Sequence, residues 1–114
     1  MKNLLMVLML FVGMTIQAQQ QKSKNAKYDV EVSGNCEQCK KRIEKTAYSV
    51  SGVKSEVWHV DDQMLHLIIN EEKTCLIDVK KAVAKVGHDA DDIKATDEDY
   101  GNLHHCCLYE RKKQ

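Results

Sequence analysis

The spacing of apolar and polar residues changes several times along this chain, and each change predicts a new element. From Lys27 onward, apolar and polar residues alternate, the apolar positions being Tyr28, Val30 and Val32. A period of two is typical of a half-buried strand. The Gly34-Asn35 pair breaks the pattern and predicts a loop that carries Cys36.

Two later segments repeat their apolar residues at the period of a helix. The first is predicted over Cys39–Val50 and ends at Ser51-Gly52. The second is predicted over Cys75–Val86, with Thr74 as its N-cap. Their apolar stripes are Ile43, Ala47 and Val50 in the first helix, and Leu76, Val79, Val83 and Val86 in the second.

The segment between the two helices predicts a β-hairpin. Its arms are Glu56–Val60 and Met64–Asn70, joined by the turn Asp61-Asp62-Gln63, and we expect Trp58 and Val60 to face the core. Residues 90–96 predict a short last strand. The order strand, helix, strand, strand, helix, strand indicates an α+β fold, a ferredoxin-like βαββαβ sandwich with two helices on one antiparallel sheet.

The N-terminal residues predict export. A short positive start, Met1-Lys2-Asn3, precedes an apolar run from Leu4 to Ile16, and the small residue Ala18 follows. A membrane-spanning helix needs about 20 apolar residues, so this run is short for a span and typical of a signal peptide. We predict a cleaved signal peptide over 1–18, a flexible leader over 19–26, and a periplasmic or secreted mature chain that is not embedded in the membrane; the alternative is an uncleaved anchor.

Charge and motif content narrow the function. The chain has 114 residues with 17 basic and 17 acidic side chains; removal of 1–18 takes only Lys2 and leaves 16 basic against 17 acidic. Such a balance gives no reason to expect binding to nucleic acid or to an anionic membrane. No acid–base pair, Ser/His/Asp set or phosphate loop is recognisable, so the sequence predicts a small monomeric binding protein rather than an enzyme.

The strongest chemical motif is the Cys-x-x-Cys formed by Cys36 and Cys39 at the strand-to-helix junction. Two thiols at this spacing can point at one ion, and a helix N-terminus favours their thiolate form. Thiolates are ligands for Cu(I) and other soft ions, whereas Zn(II) usually takes four ligands. Thiol–disulfide exchange uses the same geometry and is the alternative, although the chain has no Pro to supply the cis-Pro of thioredoxin-like proteins.

A second cluster lies in a C-terminal extension, residues 97–114. It contains four consecutive candidate ligands, His104, His105, Cys106 and Cys107. Adjacent cysteines rarely form a disulfide with each other, because the short ring that this bond closes is strained. These four residues are candidate ligands of a second soft-metal site. They would instead complete a four-ligand site if the extension folded back on the Cys36 loop, and the remaining alternative is a disordered tail whose thiols pair between molecules.

The strand, the Cys-x-x-Cys loop and the helix that follows it resemble the heavy-metal-associated domain family over about residues 27–96. This family includes copper chaperones, the periplasmic mercury carrier and modules of copper-transporting ATPases. The resemblance implies metal ligation by Cys36 and Cys39, and it places His88, after Gly87, in the loop that faces the metal as a candidate extra ligand. One departure is that the family's Gly-Met-x-Cys becomes Ser33-Gly34-Asn35-Cys36, so Gly34 replaces the Met that anchors the loop.

These observations together predict a protein that binds a soft metal ion, Cu(I) in the first place and Hg(II) or Zn(II) as alternatives. We expect it to transfer or buffer this ion in the cell envelope. The expected partners are a metal donor or acceptor, such as a copper-transporting ATPase or an envelope cuproprotein. A passive module that sequesters or senses metal remains a further alternative.

Overall fold

The computed structural model describes residues 22–111. The predicted signal peptide, the first residues of the leader and the last three residues of the chain lie outside the described residues. Three strands, β1 (Ala26–Glu31), β2 (Val53–His59) and β3 (Met64–Ile69), form an antiparallel sheet in the order β1-β3-β2. The helices are α1 (Glu37–Ser49), α2 (Leu76–Lys85) and the short α3 (Asp97–Gly101), followed by a 3-10 turn at His105–Cys107.

The core lies between the sheet and the first two helices. The inward residues of the strands and the helical stripes bury together because each element has one apolar face. The members from the sheet are Val30, Trp58, Leu65, Leu67 and Ile69, and those from α1 and α2 are Ile43, Ala47, Val79 and Val83. The predicted α+β fold, with two helices on one antiparallel sheet, is confirmed.

The predicted fourth strand is much reduced. Ala90 makes isolated bridges to Val32 and to Ile93. Within the described residues after β3, these bridges do not extend into a strand. The chain turns back at this point because Asp91 takes a left-handed conformation, with φ of 48°, and Ala90 and Ile93 exchange both backbone hydrogen bonds at 2.9 Å. The interruption coincides with the Asp91-Asp92 pair of the sequence.

Two smaller expectations were wrong. Val60 is 44% exposed because β2 ends at His59, which leaves Val60 in the turn, whereas Trp58 is buried as predicted. The N-cap of α2 is Cys75 rather than Thr74, whose backbone N–H instead donates to the Asn70 carbonyl in the preceding turn. No helix between residues 22 and 111 combines the length and the hydropathy that a membrane crossing requires.

The described part of the C-terminal extension packs against the domain. Three of its side chains, Leu103, Cys107 and Tyr109, are at most 7% exposed and belong to the main core. Thr96 caps α3 by accepting a hydrogen bond from the Asp99 backbone at 3.0 Å. The extension therefore contributes to the same core that holds the sheet and the first two helices.

Candidate metal site

The β2–β3 hairpin and the loop that follows α2 hold the loop that precedes α1. The backbone carbonyl of Gln63 accepts from Val32 at 2.8 Å, and its side-chain oxygen accepts from Gly34 at 3.0 Å. The backbone N–H of Ser33 donates to the carbonyl of Asp89 at 3.0 Å. Hydrogen bonds from the hairpin on one side and from Asp89 on the other therefore hold the backbone that leads into Cys36.

The indole of Trp58 supports the same loop from the core side. Its Nε1–H donates to the Val32 carbonyl at 2.9 Å, and the side chain is completely buried. A Cβ added at Gly34 would lie 3.0 Å from two atoms of this ring and 3.1 Å from the Cβ of Cys39. Trp58 therefore occupies the space that a side chain at position 34 would need.

Cys36 and Cys39 meet at the start of α1. Cys36 is the N-cap residue in an extended conformation, and Cys39 lies in the first turn with its side chain buried. Their Sγ atoms are 3.3 Å apart, and the Cys39 thiol also donates to Asn35 Oδ1 at 3.2 Å. The two sulfurs thus point to the same side of the loop, which is the arrangement that the Cys-x-x-Cys motif predicts.

The extension brings two further sulfurs to this point. The Sγ of Cys107 is 3.3 Å from that of Cys36, and the Sγ of Cys106 is 3.9 Å from both. The ligand atoms of Cys36, Cys106 and Cys107 all lie within 4.8 Å of one another. Cys36 is therefore the centre of a four-thiol cluster, whereas Cys75 is exposed at the start of α2.

The position of Cys36 in the cluster changes its acidity. Burial raises the pKa of its thiol, but the backbone amide of Cys39 and the thiols of Cys107, Cys39 and Cys106 together lower it to about 7. Burial, with a smaller contribution from the neighbouring thiols of Cys107 and Cys36, raises the pKa of Cys39 to about 12. In the metal-free reduced protein, Cys36 therefore loses its proton before Cys39 does.

The three histidines named as candidate ligands lie in different places. His88 is fully buried, with Nδ1 2.8 Å from the Ser33 carbonyl, Nε2 3.5 Å from an Arg42 nitrogen, and its ring stacked on Tyr109. His104 places Nδ1 3.3 Å from the Cys106 sulfur, while His105 is exposed. The structure thus brings His104 to the edge of the sulfur cluster and leaves both ring nitrogens of His88 engaged elsewhere.

Tyr109 and Arg111 hold the extension in place, and sequence reasoning missed both. The Tyr109 hydroxyl donates to the Gly87 carbonyl at 2.8 Å and accepts from the Asp89 backbone at 2.9 Å. Arg111 forms ion pairs at 2.9 Å with Asp89 and Asp97. The available signal was an aromatic residue close to Leu103 and Leu108 in a polar segment, which indicates packing rather than free solvation.

Comparison with known proteins identifies the fold. No protein-family model matches the chain, and no curated protein matches it significantly. Among solved structures, the CopZ metallochaperone matches with a TM-score of 0.55 and 21% identity, covering 57% of this chain and 98% of CopZ. Oxidized MerP from Ralstonia metallidurans CH34 matches with a TM-score of 0.56 and 21% identity, covering 58% of this chain and 93% of MerP.

A third similar structure is the N-terminal domain of a potential copper-translocating P-type ATPase from Bacillus subtilis in its Cu(I)-loaded state. It matches with a TM-score of 0.56 and 25% identity, covering 59% of this chain and 85% of that domain. All three matches cover most of a small domain and little more than half of this chain. The chain therefore has the fold of a heavy-metal-associated domain.

Proposed function

We propose that this protein binds a soft metal ion, Cu(I) in the first place, through Cys36 and Cys39, and that it transfers or buffers this ion. The observation that carries the proposal is the position of Cys36, whose Sγ has three other sulfurs within 3.9 Å. Thiolates are the ligands that soft ions prefer, and a lowered pKa keeps one of them ionised near neutral pH. Exposure of the cluster edge at His104 gives a partner access.

The similar structures support the choice of ion. One is named as a metallochaperone and another is a domain of a potential copper-translocating ATPase in the Cu(I)-loaded state. Zn(II) and Hg(II) are the competing ions, because zinc also accepts four thiolates in a tetrahedron. We place Cu(I) first because a strand-to-helix thiol pair at the edge of a small domain suits an ion that leaves by ligand exchange.

The same reasoning extends to partner and location. A donor or acceptor with its own thiols, such as a copper-transporting ATPase or an envelope cuproprotein, would dock at the exposed side of the Cys36 loop. The apolar run at the N-terminus supports export to the periplasm or the medium, after cleavage behind Ala18. Cell fractionation, with the mass of the mature chain, tests this part of the proposal.

The central experiment is a Cu(I) titration of the reduced protein against a competing chelator. We expect one tightly held ion in the wild type and loss of tight binding in the Cys36→Ser, Cys39→Ser double variant. Cys75→Ser is the matched control, because it removes an exposed thiol outside the cluster and should bind like the wild type. Parallel titrations with Zn(II) and Hg(II) rank the three ions.

Two results would contradict the proposal. The first is a reduced wild-type protein that fails to compete for any of the three ions. The second is binding that survives the double substitution unchanged. Insulin reduction, measured on the same samples, decides the alternative of thiol–disulfide exchange, since a metal carrier should show no turnover above the Cys36→Ser, Cys39→Ser background.

A further inference from the structure

The C-terminal extension places two sulfurs at the candidate metal site. Cys107 is completely buried, and its sulfur is as close to Cys36 as the sulfur of Cys39 is, at 3.3 Å in both pairs. Cys106 is half-buried, and its thiol hydrogen-bonds to Gln38 Oε1 at 3.2 Å. The extension thus contributes as many sulfurs to the cluster as the Cys-x-x-Cys motif does.

The separations are compatible with one shared ion. A zinc–thiolate bond is about 2.3 Å long, so two sulfurs on one such ion are at most about 4.6 Å apart and about 3.8 Å apart in a tetrahedron. The separations from Cys36 to its three neighbours are 3.3, 3.3 and 3.9 Å, and Cys106 lies 3.9 Å from Cys107. An ion bound by Cys36 is therefore within reach of Cys106 and Cys107 without a large rearrangement. Cys39 is not among the thiols whose sulfurs all lie within 4.8 Å of one another, so its side chain has to move for all four sulfurs to share the ion.

Core packing and polar contacts together hold the extension closed. The Tyr109 hydroxyl bridges Gly87 and the Asp89 backbone, and Arg111 pairs with the Asp89 carboxylate. The outer side of the same segment is exposed at His104, His105 and Leu108, which is 42% exposed. Opening of this segment breaks these bonds and uncovers Leu103, Cys107 and Tyr109, so it is a local unfolding step that leaves the sheet and the first two helices in place.

On the basis of the proposed function, we propose that residues 102–111 are a ligand-bearing lid. Cys106 and Cys107 bind the ion held by Cys36 and Cys39, and Tyr109 and Arg111 fasten the lid. The closed site keeps the ion, so the protein stores it until the lid opens. Ligands on the same chain act at a high effective concentration. A thiol of the lid that leaves the ion therefore rebinds before the ion is lost, and release is slow.

Release then proceeds by exchange of one thiolate for another. The thiol of a partner loses its proton as its sulfur forms a bond to the ion. The bond from the ion to Cys107 breaks, and the departing Cys107 sulfur takes up a proton. The ion keeps its charge, and no oxidant or reductant is needed.

The first test counts sulfur neighbours by X-ray absorption of the protein loaded with one Cu(I). We expect three or more sulfurs in the wild type and two in the Cys106→Ser, Cys107→Ser variant. Two sulfurs in the wild type would overturn the lid proposal and leave the proposed function intact. Absence of Cu(I) binding by the wild type would instead remove the proposed function itself.

The second test measures Cu(I) release to excess chelator by stopped flow. We expect the Cys106→Ser, Cys107→Ser variant to release the ion about a hundredfold faster than the wild type, the low end of what a linked ligand confers. Cys75→Ser, which also removes a thiol, should match the wild type. Equal release rates in the wild type and the Cys106→Ser, Cys107→Ser variant would overturn the proposal.

A third variant separates the latch from the ligands. Tyr109→Phe keeps all four thiols but removes both hydrogen bonds of the hydroxyl. We expect faster release with an unchanged sulfur count, because the closed site is intact and only opens more often. This variant also keeps the proposal testable if the Cys107 substitution prevents folding, since unchanged release in Tyr109→Phe would contradict a lid fastened by that hydroxyl.

Discussion

The Trp58 indole fills the space beside Gly34: a Cβ at Gly34 would lie 3.0 Å from Cη2 and Cζ2 of the ring. The ring also donates a hydrogen bond to the carbonyl of Val32, at the start of the same loop. The loop that carries Cys36 is therefore supported by a residue of β2, and the ring leaves little room for a side chain at position 34. Trp58, on the sheet, thus supports the loop where proteins of the family pattern use a Met within the loop.

We predict that Gly34→Ala destabilises the fold by about 1–3 kcal/mol, the usual cost of extra volume in a packed core. Gly101→Ala is the matched control, because no atom lies within 4 Å of its added Cβ, and it should change the free energy of unfolding by less than about 0.5 kcal/mol. Urea unfolding of both variants measures the difference. Combining Gly34→Ala with Trp58→Leu should reduce the cost of the alanine, and strictly additive effects would contradict the packing contact.

The buried His88 predicts a loss of stability in mild acid. Burial lowers the pKa of His88, and the Arg42 guanidinium lowers it further, although the Ser33 carbonyl opposes both. Below the unfolded pKa of about 6.5 the unfolded chain binds a proton that the folded chain excludes, so the free energy of unfolding should fall by up to about 1.4 kcal/mol per pH unit until the lowered folded pKa is reached.

Urea unfolding of the wild type and of His88→Gln between pH 7.5 and pH 5, a range set around that unfolded pKa of about 6.5, measures this contribution. The glutamine cannot titrate, so its stability should depend less on pH over this range. Parallel curves for the two proteins would show that His88 is not the group responsible.

Cys36 should be more acidic than an ordinary cysteine in the reduced, metal-free protein. Its pKa of about 7, against an ordinary value of 9.0, predicts that alkylation of Cys36 by iodoacetamide reaches half its maximal rate near pH 7. Cys107→Ala removes one of the thiols that lower this pKa, so the midpoint should move upward, whereas Cys75→Ala should leave it unchanged. Peptide mass mapping gives the site-specific rates, and a wild-type midpoint near 9 would refute the expectation.

The close contact of Gly87 with Asp99 and Leu103 leads to a prediction about the C-terminal extension. Its φ is 106°, and an added Cβ would lie 2.8 Å from the Asp99 carbonyl and from Leu103. Gly87→Ala should therefore loosen the extension and increase the labelling of Cys107 by a thiol reagent. Gly52→Ala is the matched control, because its φ of 102° imposes the same backbone strain while its Cβ would meet Lys73 and Thr74 instead.

Both glycine variants should lose stability, but only Gly87→Ala should expose Cys107 under native conditions. Equal exposure in the two variants would mean that labelling reports global unfolding rather than detachment of the extension. The labelling is best read at low denaturant, where the folded state predominates in both proteins.

Local patterns predicted most of the fold. Alternation predicted the inward face of β1, and the middle of each helical stripe is buried as expected, at Ile43 and Ala47 in α1 and at Val79 and Val83 in α2. The end positions Val50, Leu76 and Val86 are half-buried. Val60 was assigned to the wrong side because alternation does not show where a strand stops. The fourth strand was reduced by a left-handed Asp91, a choice of turn conformation that apolar spacing does not report.

The site was only half predictable. Cys36 and Cys39 are close in sequence, so their spacing and the strand-to-helix junction were sufficient to bring their sulfurs together. The meeting of Cys36 with Cys107 depends instead on bonds from Tyr109 and Arg111 to residues near position 88, none of which forms a local periodic pattern. The sequence therefore allowed a site shared by the Cys36 loop and the extension as one alternative, but it did not favour this alternative over the others.

Cys36 and Cys107 stand 71 positions apart in the chain and 3.3 Å apart in space. A nascent or unfolded copy still contains the Cys-x-x-Cys pair, since that pair is local, but it lacks the complete cluster. Contacts between such distant positions form only after a long loop of chain has closed. If the ion is held by both pairs, its retention distinguishes finished molecules from incomplete ones, and metal loading becomes a measure of folding quality.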